Sequence, residues 1–124
     1  MCKESWWFFK SGIGTLNQLR DYVHAVAKSK GWHDKPIDFG SFMSNLHGEV
    51  SELWEAYRKV SLDKPCDKAA EMCEPLTCLE EEVADVIIRV LDMSAVFGVD
   101  VDRAVRIKSA YNETRSYRHG GKVA

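Results

Sequence analysis

The fold is decided by two similar pentapeptides, Glu49-Val50-Ser51-Glu52-Leu53 and Glu82-Val83-Ala84-Asp85-Val86. Each places two carboxylates three residues apart within a run of apolar residues at helical spacing. Residues at i and i+3 lie on one face of an α-helix, so both acid pairs fall at the margin of an apolar stripe. If the two helices pack side by side, four carboxylates meet at the edge of the core.

Four carboxylates at close range raise one another's pKa values, and a divalent cation relieves their repulsion. Ligand sets made only of oxygen favour hard ions, so the pattern predicts a site for Mg²⁺, or for Mn²⁺ in its place. Its ligands would be Glu49, Glu52, Glu82 and Asp85. A di-iron site is disfavoured because it requires Glu-x-x-His on facing helices, and Asp85 stands where that histidine would be.

The rest of the chain predicts four helices and no strand, hence an all-α, antiparallel four-helix bundle. Thr15, Asp38 or Ser41, Thr77 and Asp100 are the expected N-caps, and Gly31 and Gly98 follow two of the helix ends. The apolar spacing predicts buried stripes on the last three helices, namely Phe42, Met43, Leu46, Val50, Leu53, Tyr57 and Val60; Val83, Val86, Ile87, Val90 and Leu91; and Val101, Ala104, Val105 and Ile107.

Composition indicates one ordinary globular domain of 124 residues, with 45% hydrophobic and 29% charged residues. A net charge of −2 gives no general attraction to nucleic acid or membranes, and no apolar run is long enough to span a bilayer. The four cysteines match no zinc pattern and follow no signal peptide. We therefore expect free thiols and a cytoplasmic location.

The chain divides into an aromatic arm (1–14), a helical domain (15–116) and a basic tail (117–124). Within the domain, Lys108, Asn112 and Arg115 fall on one face of the fourth helix, where they could contact phosphates. Trp32, in a polar loop, could stack on a nucleobase or simply plug the end of the bundle.

Three segments in this order resemble the MazG-like, all-α nucleoside triphosphate pyrophosphohydrolases. They are His47-Gly48-Glu49-Val50-Ser51-Glu52, then Glu81-Glu82-Val83-Ala84-Asp85-Val86-Ile87-Ile88-Arg89, then the run from Lys108 to Gly120. The resemblance covers most of the chain, from about Thr15 to Lys122. It departs from the family at Gly48, where many members have glutamate, and at residues 61–76, which form an insertion before the third helix.

The resemblance implies Mg²⁺-dependent hydrolysis of a nucleoside triphosphate to the monophosphate and pyrophosphate. Glu49, Glu52, Glu82 and Asp85 would be the metal ligands, and Glu49 or Glu52 would also activate water. Lys108, Asn112 and Arg115 would contact the phosphates and sugar, and Trp32 the base. It also implies a homodimer or homotetramer, for which the arm segment Trp6-Trp7-Phe8-Phe9 would suit an interface.

Two other functions compete with the enzyme. A non-catalytic helical assembly module would leave the acids solvated and use the aromatic arm to bind a partner. A nucleic-acid binder would use the tail from Arg115 to Lys122. The negative net charge of the chain and the lack of an extended basic patch disfavour this function.

Overall fold

The structure, a computed structural model, describes residues 13–124, and its order of elements confirms the predicted all-α helical bundle. Four main helices pack together, α1 (Leu16–Ser29), α2 (Phe39–Arg58), α3 (Cys78–Val96) and α4 (Val101–Thr114). A 3₁₀ turn, Ala69–Glu71, lies between α2 and α3, and a short helical turn, Arg118–Gly121, follows α4. The predicted aromatic interface segment, residues 6–9, lies outside the described residues.

Local capping fixes where the helices begin, as the sequence predicts. The Thr77 side chain accepts a hydrogen bond from the Glu80 backbone N–H, and the Glu80 carboxylate accepts one from the Thr77 N–H. Thr15 and Gln18 form the same reciprocal box at α1. Asp38 and Asp100 cap α2 and α4 by accepting from the backbone N–H three residues later. These bonds satisfy N–H groups that have no partner within the helix.

Helix α3 is the centre of the fold and runs antiparallel to both α2 and α1. The start of α2 meets the end of α3, where the rings of Phe42 and Phe97 lie 5.9 Å apart. The start of α1 meets the same end of α3, where Arg20 donates to the Val99 carbonyl. Leu91 of α3 and Phe42 of α2 are among the most deeply buried side chains, so the core lies between these helices.

Helix α4 is anchored through its first turn. The Asp102 carboxylate accepts hydrogen bonds from the Leu16 and Asn17 N–H groups at 2.9 and 3.1 Å, and so caps α1. The Asn17 side chain in turn accepts from the Val101 N–H at 2.8 Å. Residues 103–114 are exposed. The predicted burial of Ala104, Val105 and Ile107 is therefore wrong within one chain, because the helix continues beyond the surface of α1 that it contacts.

The buried stripe of α2 is also rotated from its predicted position. Val50, Tyr57 and Val60 are 49, 59 and 78% exposed, whereas Glu49 is only 9% exposed. On α3, Val83 and Ile87 are likewise exposed. The apolar stripes are wider than one helix interface, and periodicity cannot tell which edge of a wide stripe faces the neighbouring helix. The acidic edge faces inward, and the apolar residues at the other edge lie at the surface.

The segment between α2 and α3 folds back on the start of α3. Backbone hydrogen bonds join Cys66 to Leu76 and Cys78 to Lys64 at 2.9 and 2.8 Å, around an isolated bridge between Pro65 and Thr77. Cys66 and Ala69 are buried, so this insertion is packed. It thereby places Lys68 beside the acidic face of α3.

The cysteines depart from expectation at one position. Cys66 and Cys78 carry free thiols, whereas Cys73 is disulfide-bonded, so the expectation of four free thiols is wrong at Cys73. Within residues 13–124, none of the helices combines the length and the apolar character needed to cross a bilayer.

Candidate metal and nucleotide site

The packing of α2 on α3 brings three of the four predicted carboxylates together. One carboxylate oxygen each from Glu49, Glu82 and Asp85 lies within 4.8 Å of the others. Glu49 comes from α2, whereas Glu82 and Asp85 lie one turn apart on α3. Glu52, one turn after Glu49, is exposed, and both residues line the cavity described below. The acidic margins of the two helices therefore face one another, as their echoing sequence predicts.

The electrostatics of this triad are unfavourable without a cation. Burial, followed by the negative charges of Glu52 and Asp85, raises the pKa of Glu82 to about 7. The pKa of Asp85 is also raised, again by burial first and then by Glu49. The Glu82 Oε2 atom is buried without a hydrogen-bond partner. A buried carboxylate oxygen with no donor is costly, and an oxygen-only cluster fits a hard divalent ion.

Two basic side chains approach the acids. The Nε and Nη2 atoms of Arg89 both lie 2.9 Å from Glu49 Oε1. The Lys68 ammonium lies 3.6 Å from Glu81, and the charges of Glu81, Asp67 and Asp85 raise the pKa of Lys68. The guanidinium of Arg89 thus neutralises Glu49 but leaves the Glu82 carboxylate oxygen without a partner.

A cavity of about 430 Å³ extends from the acids toward α1. Its walls include the predicted residues Trp32, Glu49, Glu52 and Asp85. Trp32 is 65% exposed, so it lies at the rim rather than plugging the end of the bundle. Val23 and Phe42 give the cavity an apolar side. The space combines a flat aromatic surface, an apolar wall and a charged end, features typical of small-molecule sites.

The predicted phosphate-contacting residues lie elsewhere in a single chain. Lys108, Asn112 and Arg115 are on α4 and are not among the described residues that line the cavity. The structure does keep the two cations together, because the Lys108 ammonium and the Arg115 guanidinium lie 4.9 and 5.5 Å from the centre of the Tyr111 ring. Their contact with a substrate stays a prediction.

The cations that do line the cavity are Lys30, Lys68 and Arg89. Arg89 carries a sequence signal, because it continues the margin of Glu82 and Asp85 one turn later. Lys68 carries none, because it lies in the insertion and reaches the acids only through the folding of that segment. Neither Lys30 nor Lys68 was predicted from the sequence to belong to the site.

Comparison with known proteins finds one short similarity. A dATP/dGTP diphosphohydrolase of Cyanophage S-2L is 53% identical to this chain over 36 residues. The match covers 29% of this chain and 34% of that relative, so the chain aligns with about a third of the relative's length. No protein-family model matches the chain, and no solved structure matches it significantly.

Proposed function

We propose that the protein is a Mg²⁺-dependent hydrolase that converts a nucleoside triphosphate to the monophosphate and pyrophosphate. The observation that carries the proposal is the unpartnered, buried oxygen of the Glu82 carboxylate. Glu82 is grouped with Glu49 and Asp85, and those two residues line the cavity. A purely structural cluster would be more stable with one of these acids replaced by a neutral residue. A metal site needs all of them.

The four predicted metal ligands lie where they could share one ion. Glu49, Glu82 and Asp85 would hold the ion from one side, and Glu52, at the mouth of the cavity, would complete the ligand set. A Mg²⁺ ion held by these residues would offset the charge of phosphate oxygens. Glu49 or Glu52 would orient and deprotonate the attacking water, since a carboxylate near a cation-bound phosphate is a suitable general base.

The substrate end of the cavity suits a nucleoside. Trp32 offers a large exposed ring on which a base can stack, and Val23 and Phe42 supply apolar contact. Lys30 and Lys68 supply positive charge for phosphates within the chain, and Lys108, Asn112 and Arg115 would contact the phosphates and sugar if α4 of a second chain approaches. The phage relative is named for action on dATP and dGTP, so purine deoxynucleotides are the first substrates to test.

The decisive experiment is a pyrophosphate-release panel over common and modified triphosphates, with Mg²⁺, with Mn²⁺ and after chelation. We expect metal-dependent release from at least one triphosphate. The Glu82→Gln variant should lose turnover while keeping its helical circular dichroism. Glu55→Gln, which changes an exposed carboxylate on α2 that does not line the cavity, is the matched control and should retain the wild-type rate.

The same experiment separates the enzyme from a non-catalytic assembly module. A module should release no pyrophosphate and should show no thermal shift with Mg²⁺ plus a non-hydrolysable nucleotide analogue. Wild-type turnover in Glu82→Gln would contradict the proposed site even if the protein proved to be an enzyme.

We also propose that the protein acts as a homodimer or homotetramer. Val50, Trp54 and Tyr57 form an exposed apolar line on α2, and Val83 and Ile87 form another on α3. The Trp54 and Tyr57 rings are stacked 5.4 Å apart. Exposed apolar area of this kind is uncommon on monomers and typical of interfaces. A second copy would offer a complementary apolar face.

Sedimentation velocity tests this assembly. The wild type should sediment as a dimer or larger, and Trp54→Lys should shift it toward monomer. Exposed Lys59→Glu, beyond the end of α2, is a charge-changing control that should leave the assembly intact. A monomeric wild type at micromolar concentration would refute the proposed oligomer.

A further inference from the structure

A second cluster of side chains that could bind a metal lies between α1 and α3, about two turns of α3 from the acidic triad. His24 of α1, His33 of the α1–α2 loop and Asp92 of α3 each contribute one ligand atom, and these atoms lie within 4.8 Å of one another. Asp92 is seven residues after Asp85, which corresponds to about 10 Å along the helix axis. The two clusters are therefore separate, although Asp92 lines the same cavity as Asp85.

The geometry of the cluster converges on one point. His24 Nδ1 lies 2.8 Å from Asp92 Oδ1, and His33 Nε2 lies 2.9 Å from both carboxylate oxygens. The two imidazole rings are edge to face with centroids 4.7 Å apart, and the ring of His33 also stacks on Phe42. The three side chains are 24, 13 and 14% exposed. Both rings are thus held in place by packing, with a nitrogen aimed at the same carboxylate.

We propose that His24, His33 and Asp92 form a second divalent-cation site, selective for borderline ions of the Zn²⁺ class. Two imidazole nitrogens and one carboxylate suit Zn²⁺ and Co²⁺ and are a poor set for Mg²⁺, which prefers oxygen ligands. Three protein ligands leave further coordination positions for water or a ligand from the cavity. This site does not depend on the proposed hydrolase function.

The distances between the histidine nitrogens and the Asp92 carboxylate require only a small adjustment. Ligand atoms around a tetrahedral Zn²⁺ ion, with bonds of about 2.0–2.2 Å, lie about 3.4 Å apart. The nitrogen–oxygen separations here are 2.8–2.9 Å, so the rings would move outward by roughly half an ångström. A ring nitrogen that binds the ion must offer its lone pair, so each ring would carry its proton on the other nitrogen.

Co²⁺ is the probe of choice, because tetrahedral or five-coordinate Co²⁺ absorbs visible light strongly and octahedral Co²⁺ on oxygen ligands absorbs weakly. Titration of the wild-type protein should give a visible band that saturates at one ion per chain, and Zn²⁺ should displace it while excess Mg²⁺ should not. His33→Ala and His24→Ala should each weaken binding by more than the roughly 10–100-fold that loss of an outer-sphere partner costs.

Two controls keep the result specific. His47→Gln changes an exposed histidine on α2 and should leave the band unchanged. Glu82→Gln, in the acidic triad, should also leave it unchanged, which separates the two metal sites. A near-ultraviolet charge-transfer band would reveal binding to the Cys66 or Cys78 thiolates instead, and that result would overturn the assignment.

A readout on the wild-type protein covers the case in which a histidine variant does not fold. Nitrogen-15 NMR of the imidazole rings should show that His24 Nδ1 and His33 Nε2 change environment on addition of Zn²⁺. A wild-type protein that gives no Co²⁺ band and no imidazole shift would overturn the proposal. So would a folded His33→Ala variant that binds Co²⁺ as the wild type does, and the three residues would then be only a hydrogen-bonded tie between α1 and α3.

Discussion

Replacement of Glu82 by glutamine should stabilise the metal-free protein while it removes activity. The pKa of Glu82 is about 7 in the folded protein against an ordinary value of 4.5. The folded state therefore holds this proton more tightly than the unfolded state does. Between pH 4.5 and about pH 7, the folded state binds more protons than the unfolded state. Stability must fall as the pH rises through this range, and it stays low above pH 7.

The magnitude follows from the size of the shift. A difference of about 2.5 pKa units corresponds to about 3 kcal/mol at about 1.4 kcal/mol per unit. Glutamine keeps the shape of a protonated glutamic acid, and its NH₂ group can donate to Asp85 or Glu49. At pH 8 the metal-free variant should therefore be more stable than the wild type by up to about 3 kcal/mol, and below pH 4.5 the two should be nearly equal.

Urea unfolding in EDTA, followed by far-ultraviolet circular dichroism from pH 4 to pH 8, measures this difference. The wild type should lose stability over the interval, and Glu82→Gln should lose much less of it. Saturating Mg²⁺ should stabilise the wild type at pH 8, because the ion binds only the folded state, and should have little effect on the variant. Equal stability of the two metal-free proteins at pH 8 would refute a raised pKa of Glu82 in the folded protein.

Three further substitutions test other parts of the structure. Thr77→Ala removes the capping box with Glu80 at the start of α3. Urea titration should show a free energy of unfolding lower by about 1 kcal/mol. An unchanged midpoint would contradict the assigned cap. In steady-state assays, Trp32→Ala should raise KM for the triphosphate more than it lowers kcat. A lower kcat with an unchanged KM would argue against base stacking. Arg89→Met removes the guanidinium partner of Glu49, so calorimetry should show several-fold tighter Mg²⁺ binding. The metal-free variant should lose about 1–3 kcal/mol of stability. Weaker Mg²⁺ binding would show that Arg89 does not compete with the ion.

Local signals account for most of what the sequence predicts correctly. Thr15, Asp38, Thr77 and Asp100 are capping side chains that act within three residues of their own position, so helix starts can be inferred without knowledge of the rest of the chain. The similar spacing of the acid pairs that begin at Glu49 and Glu82 also predicts the acidic cluster from helical geometry alone, once the two helices are assumed to pack together.

Other features were decided by packing. The apolar stripes of α2 and α3 are wide enough to satisfy two interfaces, and only the tertiary contact shows that Glu49 is buried while Val50 and Tyr57 remain exposed. Helix α4 has the apolar spacing of a buried helix, yet within residues 13–124 its hydrogen bonds to α1 come from its first turn, where Asp102 caps α1.

The sequence alone therefore determined that this protein is an all-α bundle with two acidic helix margins, because helix formation and capping depend on neighbours within one or two turns. The tertiary structure decided which residues from distant segments meet. Lys68 reaches the acids from an insertion, and His24, His33 and Asp92 come together as a separate cluster from three segments. Such meetings join residues as many as 68 positions apart, and they depend on how whole helices pack rather than on any local pattern.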